Sequence, residues 1–79
     1  MTYDQAYEAV RDLCSPHSIR NIKTANKEIR KYFGDYLIGM KQYADEFETT
    51  MNYHIWCDDQ PEDDHIVTIS YDFWNRRIS

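Results

Sequence analysis

The sequence predicts an α+β domain in which two N-terminal helices pack on one face of a three-stranded antiparallel meander, in the order ααβββ. Apolar residues recur at the helical period over the first 33 residues and at a period of two from residue 36 onward. A chain of 79 residues has room for one domain, which we expect to span residues 1–79. Two glycines and two prolines are too few to indicate disorder.

The first helix is predicted from Thr2 to Cys14. Thr2 and Gln5 have the spacing of a capping box, in which each side chain accepts a hydrogen bond from the other residue's backbone N–H. Ser15-Pro16 ends the helix, because the residue before proline is excluded from the α region. The apolar stripe of this helix consists of Tyr3, Ala6, Tyr7, Val10, Leu13 and Cys14.

The second helix is predicted over residues 18–33. Ser18 is expected to be its N-cap, and Gly34 is expected to end it in a left-handed conformation. The predicted apolar side consists of Ile19, Ile22, Ala25, Ile29, Tyr32 and Phe33.

Five of the nine basic residues fall on the opposite side of this second helix, within an arc of about 100°. We call this group the basic stripe: Arg20, Lys23, Lys27, Arg30 and Lys31. The segment from residue 35 to 64 carries nine carboxylates and a single cation, Lys41. The net charge of −5 therefore belongs to a bipolar molecule, and such surfaces favour charged partners.

Two runs of alternating residues, 47–57 and 66–74, predict an antiparallel hairpin. A slip of one residue would turn a whole apolar set outward, so the pattern also fixes the register. The expected inner pairs are Ile55 with Val67, Tyr53 with Ile69, Met51 with Tyr71 and Thr49 with Phe73. The expected outer pairs are Trp56 with Ile66, Thr50 with Asp72, Glu48 with Trp74 and Glu46 with Arg76.

A weaker third strand is predicted from Tyr36 to Gln42, with Tyr36, Ile38 and Met40 facing inward. Ala44-Asp45 is expected to turn the chain into the hairpin. This strand completes the predicted three-stranded sheet.

The hairpin connection, residues 58–64, concentrates five carboxylates, and we call it the acidic loop. Its acidic residues are Asp58, Asp59, Glu62, Asp63 and Asp64. The loop lacks the glycine and the terminal bidentate Glu of an EF-hand, which argues against calcium. Carboxylates two residues apart on an extended chain are ~6.6 Å apart, and one nucleic-acid strand carries a charge every ~3.4 Å of helix axis. A row of Asp and Glu could therefore instead occupy basic pockets meant for phosphates. The alternative is a solvated loop that keeps a sheet protein soluble.

Trp56 and Ile66 are expected to lie side by side on the outer sheet face, next to the acidic loop. An exposed Trp-Ile pair rimmed by carboxylates is typical of an interface hot spot. Glu48 and Trp74 complete the predicted partner-binding set on the same face. The alternative is that a loop or the chain terminus covers the pair.

The basic stripe is a second candidate surface, because its cations could contact phosphates of a nucleic acid. The domain is acidic overall and shows no helix-turn-helix glycine or base-reading pattern. The alternative is a solvated or protein-contacting helix face.

Metal binding and catalysis are the weakest hypotheses. Two thiols and three imidazoles are available as zinc ligands: Cys14, His17, His54, Cys57 and His65. Residues three apart on a strand point to opposite faces, so His54 and Cys57 could not chelate together without a bulge. No nucleophile elbow, phosphate loop or His-Glu-x-x-His pattern is present. We expect no cofactor, no metal and no enzymatic activity.

In size and charge the chain is similar to the small, acidic, aromatic-rich inhibitors of phages and mobile elements, which block host restriction or CRISPR effectors. That similarity implies a non-enzymatic inhibitor whose partner is a host protein with a basic nucleic-acid-binding surface. The alternative is a nucleic-acid-binding regulator that uses the basic stripe. The absence of an export signal and of a membrane span predicts that the protein works in a cytoplasm, that of the host if it is phage-encoded.

Overall fold

The computed structural model describes residues 1–44 and 49–79. These residues form an α+β domain with two α-helices and an antiparallel sheet of four strands, in the order β1-β2-β3-β4. The helices are α1 (Tyr3–Cys14) and α2 (Ile22–Phe33), and the strands are β1 (Leu37–Ala44), β2 (Thr49–Trp56), β3 (Ile66–Asp72) and β4 (Arg77–Ile78). The predicted class is confirmed, and the predicted three-strand count is wrong by one strand.

Both helices lie on one face of the sheet, because their apolar sides share a single core with alternate residues of β2 and β3. The helices contribute Ala6, Ala9, Val10, Cys14, Ile22, Ala25, Ile29 and Phe33 to that core, and the β2–β3 hairpin contributes Met51, Tyr53, Ile55, Cys57, Ile69, Tyr71 and Phe73. In the described part of the chain, the opposite face, which we call the outer face, has no helix over it.

The N-terminus of α1 has the predicted capping box. The Gln5 backbone N–H donates to Thr2 Oγ1 at 3.2 Å, and the Thr2 backbone N–H donates to Gln5 Oε1 at 2.9 Å. These two bonds satisfy N–H groups that a helix end otherwise leaves without a partner.

At the other end of α1, the helix stops at Cys14 as predicted, but the predicted reason is wrong. Ser15 precedes Pro16 and still lies in the α region, with a φ of −61° and a ψ of −31°, and its N–H donates to the Arg11 carbonyl at 2.9 Å. Within residues 1–44 and 49–79, no helix is long and apolar enough to cross a membrane.

The second predicted helix divides into two elements. A 3₁₀ turn spans Ile19–Asn21, and Ser18 Oγ accepts a hydrogen bond from the Arg20 N–H at 3.2 Å, so Ser18 caps this turn rather than α2. Gly34 follows α2 with the expected positive φ of 54°, and its ψ of −126° places it outside the αL region. Two residues of the predicted apolar side, Ile19 and Tyr32, are exposed.

The predicted register of the hairpin is confirmed. Ile55 pairs with Val67, Tyr53 with Ile69, Met51 with Tyr71, Thr50 with Asp72, and Trp56 with Ile66. The Phe73 N–H donates to the Thr49 carbonyl at 2.9 Å, which extends the pairing at the open end. The predicted pairs that involve Glu46 and Glu48 lie outside the described residues, as does Asp45 of the predicted turn. Ala44, the other residue of that turn, instead belongs to β1 and pairs with Thr49.

The predicted orientation of β1 is wrong at two positions. A bulge lies between Leu37, which pairs with Ile55, and Gly39, which pairs with His54. Ile38 is the extra residue and is 53% exposed, and Tyr36 lies in a 3₁₀ turn before the strand and is also exposed. The bulge shifts the alternation, so Leu37 and Met40 pack against the core.

The fourth strand lies within residues that the sequence pattern left unassigned. Asp72 Oδ1 accepts hydrogen bonds from the N–H groups of Trp74 and Asn75, and Arg76 has a φ of 57°, so the chain reverses there. Arg77 then pairs with Asp72, and Ser79 exchanges two backbone hydrogen bonds with Ser70. A strand of two residues is too short to show a period of two.

Candidate interaction surfaces

Trp56 and Ile66 form an exposed cross-strand pair at one end of the sheet. The two residues are direct partners in the β2–β3 ladder, and their side chains are 38% and 40% exposed. Side chains of directly opposed residues lie on the same face of a sheet, so both belong to the outer face. Trp56 and Ile66 therefore lie side by side on the outer face, as predicted.

Two neighbours hold the Trp56 indole in place. Its ring stacks on the His65 imidazole, with centroids 4.5 Å apart and planes inclined by 29°. Its Nε1–H donates to Asp58 Oδ1 at 3.3 Å. The ring is thus partly solvent-exposed yet fixed in orientation by one stacking contact and one hydrogen bond.

The first two carboxylates of the acidic loop bind the N-terminal residues. Asp58 Oδ2 lies 2.5 Å from the Met1 ammonium, and the Asp58 N–H donates to the Met1 carbonyl at 2.8 Å. Asp59 Oδ1 accepts a hydrogen bond from the Tyr3 N–H at 3.0 Å. These contacts fasten the start of the loop to the first turn of α1, a role that the sequence pattern did not indicate.

The remaining three carboxylates lie further along the loop, and all are exposed. Asp64 Oδ1 accepts a hydrogen bond from the Ile66 N–H at 3.2 Å and closes the loop onto β3. Glu62 and Asp63 make no hydrogen bond or ion pair with any residue that the structure describes. The acidic loop therefore has fastened ends and an outward-facing middle.

The pKa of Asp58 lies below its ordinary value of 3.8. The main cause is the hydrogen bond from the Met1 ammonium, and the Trp56 indole N–H and the charge of His65 act in the same direction. Asp58 is consequently a carboxylate throughout the neutral range, and it contributes negative charge beside the exposed indole.

Trp74 lies at the other end of the sheet. It is 58% exposed and sits in the turn that connects β3 to β4. The pairs Trp56–Ile66 and Thr50–Asp72 are separated by six residues along each strand, which corresponds to roughly 20 Å. The structure therefore does not bring Trp74 together with Trp56, and Glu48 lies outside the described residues.

The basic stripe is exposed along its whole length. The opposite side of α2 is buried through Ile22, Ala25, Ile29 and Phe33, as the periodicity predicted. The five exposed cations are Arg20, Lys23, Lys27, Arg30 and Lys31. None of them forms an ion pair with a carboxylate in residues 1–44 or 49–79.

The potential zinc ligands are dispersed and occupied by other contacts. His17 Nε2 lies 3.3 Å from Glu28 Oε2, His54 Nδ1 lies 3.0 Å from Thr68 Oγ1, and His65 Nδ1 lies 3.2 Å from the Cys57 carbonyl oxygen. No three His, Cys, Asp or Glu side chains of the described residues are grouped as a metal site would require.

Both thiols are buried and free. Burial raises the pKa of Cys14 to about 11, because it penalises the thiolate more strongly than the Tyr53 hydroxyl favours it. Burial is also the main cause of the raised pKa of Cys57. Because the thiolate is the nucleophilic form, neither cysteine has the features of a reactive thiol at neutral pH.

A partly buried chain of polar contacts links α2 to the sheet, and the sequence pattern did not predict it. The Tyr53 hydroxyl donates to Asn26 Oδ1 at 2.8 Å and lies 3.6 Å from Cys14 Sγ. Asn26 Nδ2 lies 3.7 Å from Met51 Sδ. The sequence contains one indication of this contact. Asn26 directly follows Ala25 of the predicted apolar side, so its side chain is expected at the edge of the core.

The helix layer also carries a shallow groove of about 520 Å³ between α1 and α2. It is lined by Leu13, Glu28, Lys31 and Tyr32. The groove is open to solvent, and the carboxylate of its lining residue Glu28 is the one that lies 3.3 Å from His17 Nε2.

Comparisons with protein-family models, with curated proteins and with solved structures found no match in any of the three.

Proposed function

We propose that this protein is a non-enzymatic, stoichiometric inhibitor that binds a nucleic-acid-handling protein through the end of the sheet formed by Trp56, Ile66 and the acidic loop. The observation that carries the proposal is the exposed Trp56–Ile66 pair, immediately beside a loop with five carboxylates. An apolar, aromatic centre with a charged rim is the usual anatomy of a binding hot spot.

The pre-ordering of this surface supports the proposal. Trp56 is held by the stack on His65 and by the bond to Asp58, and the loop is fastened by Asp58, Asp59 and Asp64. A side chain or loop that is already ordered loses little conformational entropy when it binds. The surface can therefore form a tight complex without being large.

The charge of the loop favours a basic partner surface. Glu62 and Asp63 are exposed and make none of the contacts that fasten the loop, so their charges are available to arginines and lysines that otherwise bind phosphates. We infer that the partner is a protein with a nucleic-acid channel, such as a restriction or CRISPR effector, encountered in a cytoplasm. In this account the acidic loop excludes the nucleic acid and Trp56 provides the desolvated anchor.

The proposal is tested with the purified, tagged protein immobilised and exposed to lysates of bacteria that carry restriction or CRISPR systems. We expect capture of a nucleic-acid-handling protein that is released by excess duplex DNA or RNA. Plasmid interference assays in the same cells then measure whether expression of the protein protects the plasmid. A captured protein that competitor nucleic acid cannot displace, with no protection of the plasmid, would contradict the proposal.

A second candidate function is direct nucleic-acid binding by the basic stripe. It is favoured by one observation: all five cations are exposed and unpaired with the carboxylates that the structure describes. This candidate predicts binding that weakens steeply with salt, and a shallower salt slope when Lys23, Lys27 and Arg30 are changed to Gln. Lys41→Gln, on the sheet, is the matched control. An absence of binding to DNA and RNA at low salt would remove this candidate.

A further inference from the structure

The two edge strands of the sheet differ in length. β1 is an edge strand of eight residues, and it pairs only with β2 within the described residues. β4 forms the other edge and has two residues. A very short edge strand is one of the devices by which proteins prevent further pairing, so only the β4 edge is protected in this way.

The β1 edge has little other protection. It contains no proline, and Lys41 is its single charged residue. Three exposed apolar side chains lie on it or next to it, namely Tyr36, Ile38 and Tyr43. The bulge at Ile38 disturbs only the beginning of the strand, because residues 39–44 pair with β2 in continuous register. Among the described residues, a regular edge of six residues therefore has no strand paired with its outer side.

We propose that β1 pairs antiparallel with β1 of a second copy of this chain, which joins two four-stranded sheets into one of eight strands. The two-fold axis would be perpendicular to the sheet, so that both pairs of helices lie on the same side. This inference does not depend on the proposed function, since Trp56 and Ile66 belong to β2 and β3.

The side chains of β1 select one register for this pairing. Lys41 and Tyr43 lie on the outer face, because they are the ladder partners of Asn52 and Thr50, whereas Met40 is opposite the buried Tyr53. A register centred on Lys41 would bring two lysines face to face, which is unfavourable. A register centred on Gln42 instead places Lys41 of each copy opposite Tyr43 of the other.

Lys41 and Tyr43 of one chain already have the geometry of a cation–π contact. Lys41 Nζ lies 5.1 Å from the centroid of the Tyr43 ring. In the Gln42-centred register, each ammonium lies between two tyrosine rings, and each copy makes the same contact with the other. The β1 edge is thus complementary to itself, so a second copy of this chain fits it better than an unrelated extended segment.

Disulfide trapping tests the register directly. On the two-fold axis the Cα atoms of residue 42 would be about 4.5–5.5 Å apart, which is within the range of a disulfide. We expect Gln42→Cys to form a covalent dimer under mild oxidation much faster than Thr24→Cys, an exposed position on α2. The native cysteines are buried in both variants. Equal cross-linking rates of the two variants would overturn the proposal.

Sedimentation equilibrium of the reduced protein, from micromolar to millimolar concentration, measures the same association without cross-linking. We expect a monomer–dimer equilibrium that Tyr43→Lys weakens about tenfold, because it places cations opposite each other at two symmetric positions. Tyr43→Phe keeps the ring and is expected to dimerise like the unmodified chain. A monomer at every concentration, or a dimer that Tyr43→Lys leaves unchanged, would overturn the pairing.

Discussion

Asp58 and Met1 are joined by a reciprocal contact: the Met1 ammonium donates to the Asp58 carboxylate at 2.5 Å, and the Asp58 N–H donates to the Met1 carbonyl at 2.8 Å. This contact connects the acidic loop to the start of the first helix, 57 residues away in sequence. It divides the loop into carboxylates that hold the fold and carboxylates that face solvent. The two groups should respond differently to neutralisation.

Asp58→Asn should lower the melting temperature more than Asp63→Asn. The first substitution removes an ion pair that fastens the loop, whereas Asp63 contacts no described residue through its carboxylate. Differential scanning calorimetry at neutral pH and low salt measures both variants. Equal melting temperatures for the two variants would show that the Met1–Asp58 pair does not contribute to stability.

Neutralising the middle of the loop should slow binding without unfolding the protein. Glu62→Gln combined with Asp63→Asn removes two exposed charges, so we expect a lower association rate and a weaker dependence of that rate on salt. The measurement is surface plasmon resonance against the captured partner at two ionic strengths. Asp4→Asn combined with Glu8→Gln on α1 is the matched control, and an equal effect of both double variants would indicate a response to net charge alone.

Tyr53→Phe should destabilise the fold by about 1–2 kcal/mol. The substitution leaves Asn26 Oδ1 without its 2.8 Å donor and removes the contact with Cys14 Sγ, while the ring still fills the core. Tyr32→Phe, at a 55% exposed position, is the control and should change stability little. Urea denaturation of both variants gives the two free energies of unfolding. A stability of Tyr53→Phe equal to that of the control would show that the hydrogen bond from Tyr53 to Asn26 makes no net contribution to the free energy of unfolding.

Acid should destabilise the protein through Asp58 and Asp72. Burial opposes the charged form of Asp72, but hydrogen bonds from the side chain and backbone of Asn75 and from the Trp74 N–H outweigh it, and its pKa is lowered. A carboxyl group whose pKa is lower in the folded state than its ordinary value of 3.8 stabilises the fold at pH values above 3.8. That stabilisation is lost as the pH falls through the pKa of the folded state. Urea unfolding between pH 6 and pH 2 should show this loss, and Asp72→Asn should flatten it. An unchanged pH profile for Asp72→Asn would contradict this assignment.

Much of the fold could be predicted because two periods in the sequence are long and regular. The capping box of α1 and the register of the β2–β3 hairpin follow from residue spacing alone, and Trp56 and Ile66 came together for the same reason. A period of two constrains the register strongly when one face is buried. It does not reveal a bulge, and the bulge at Ile38 reversed the orientation expected for the start of β1.

The contacts between distant segments could not be predicted from local patterns. The bond between Asn26 and Tyr53 and the binding of Met1 by Asp58 depend on how helices lie on the sheet, which periodicity does not specify. The separation of Trp74 from Trp56, in contrast, follows from the strand register itself, because Asp72, two residues before Trp74, pairs with Thr50, six residues from Trp56.

Trp56 is the proposed anchor of the protein on its partner, and a comparison with Trp74 tests that role. Circular dichroism first verifies that Trp56→Ala and Trp74→Ala are folded. Both variants are then immobilised at equal density and exposed to the same bacterial lysate. The measurement is the amount of nucleic-acid-handling protein that each variant captures. We expect Trp56→Ala to lose about 2 kcal/mol or more of binding free energy and to capture almost none, while Trp74→Ala captures as much as the unmodified protein. Undiminished capture by folded Trp56→Ala would rule out Trp56 as the anchor.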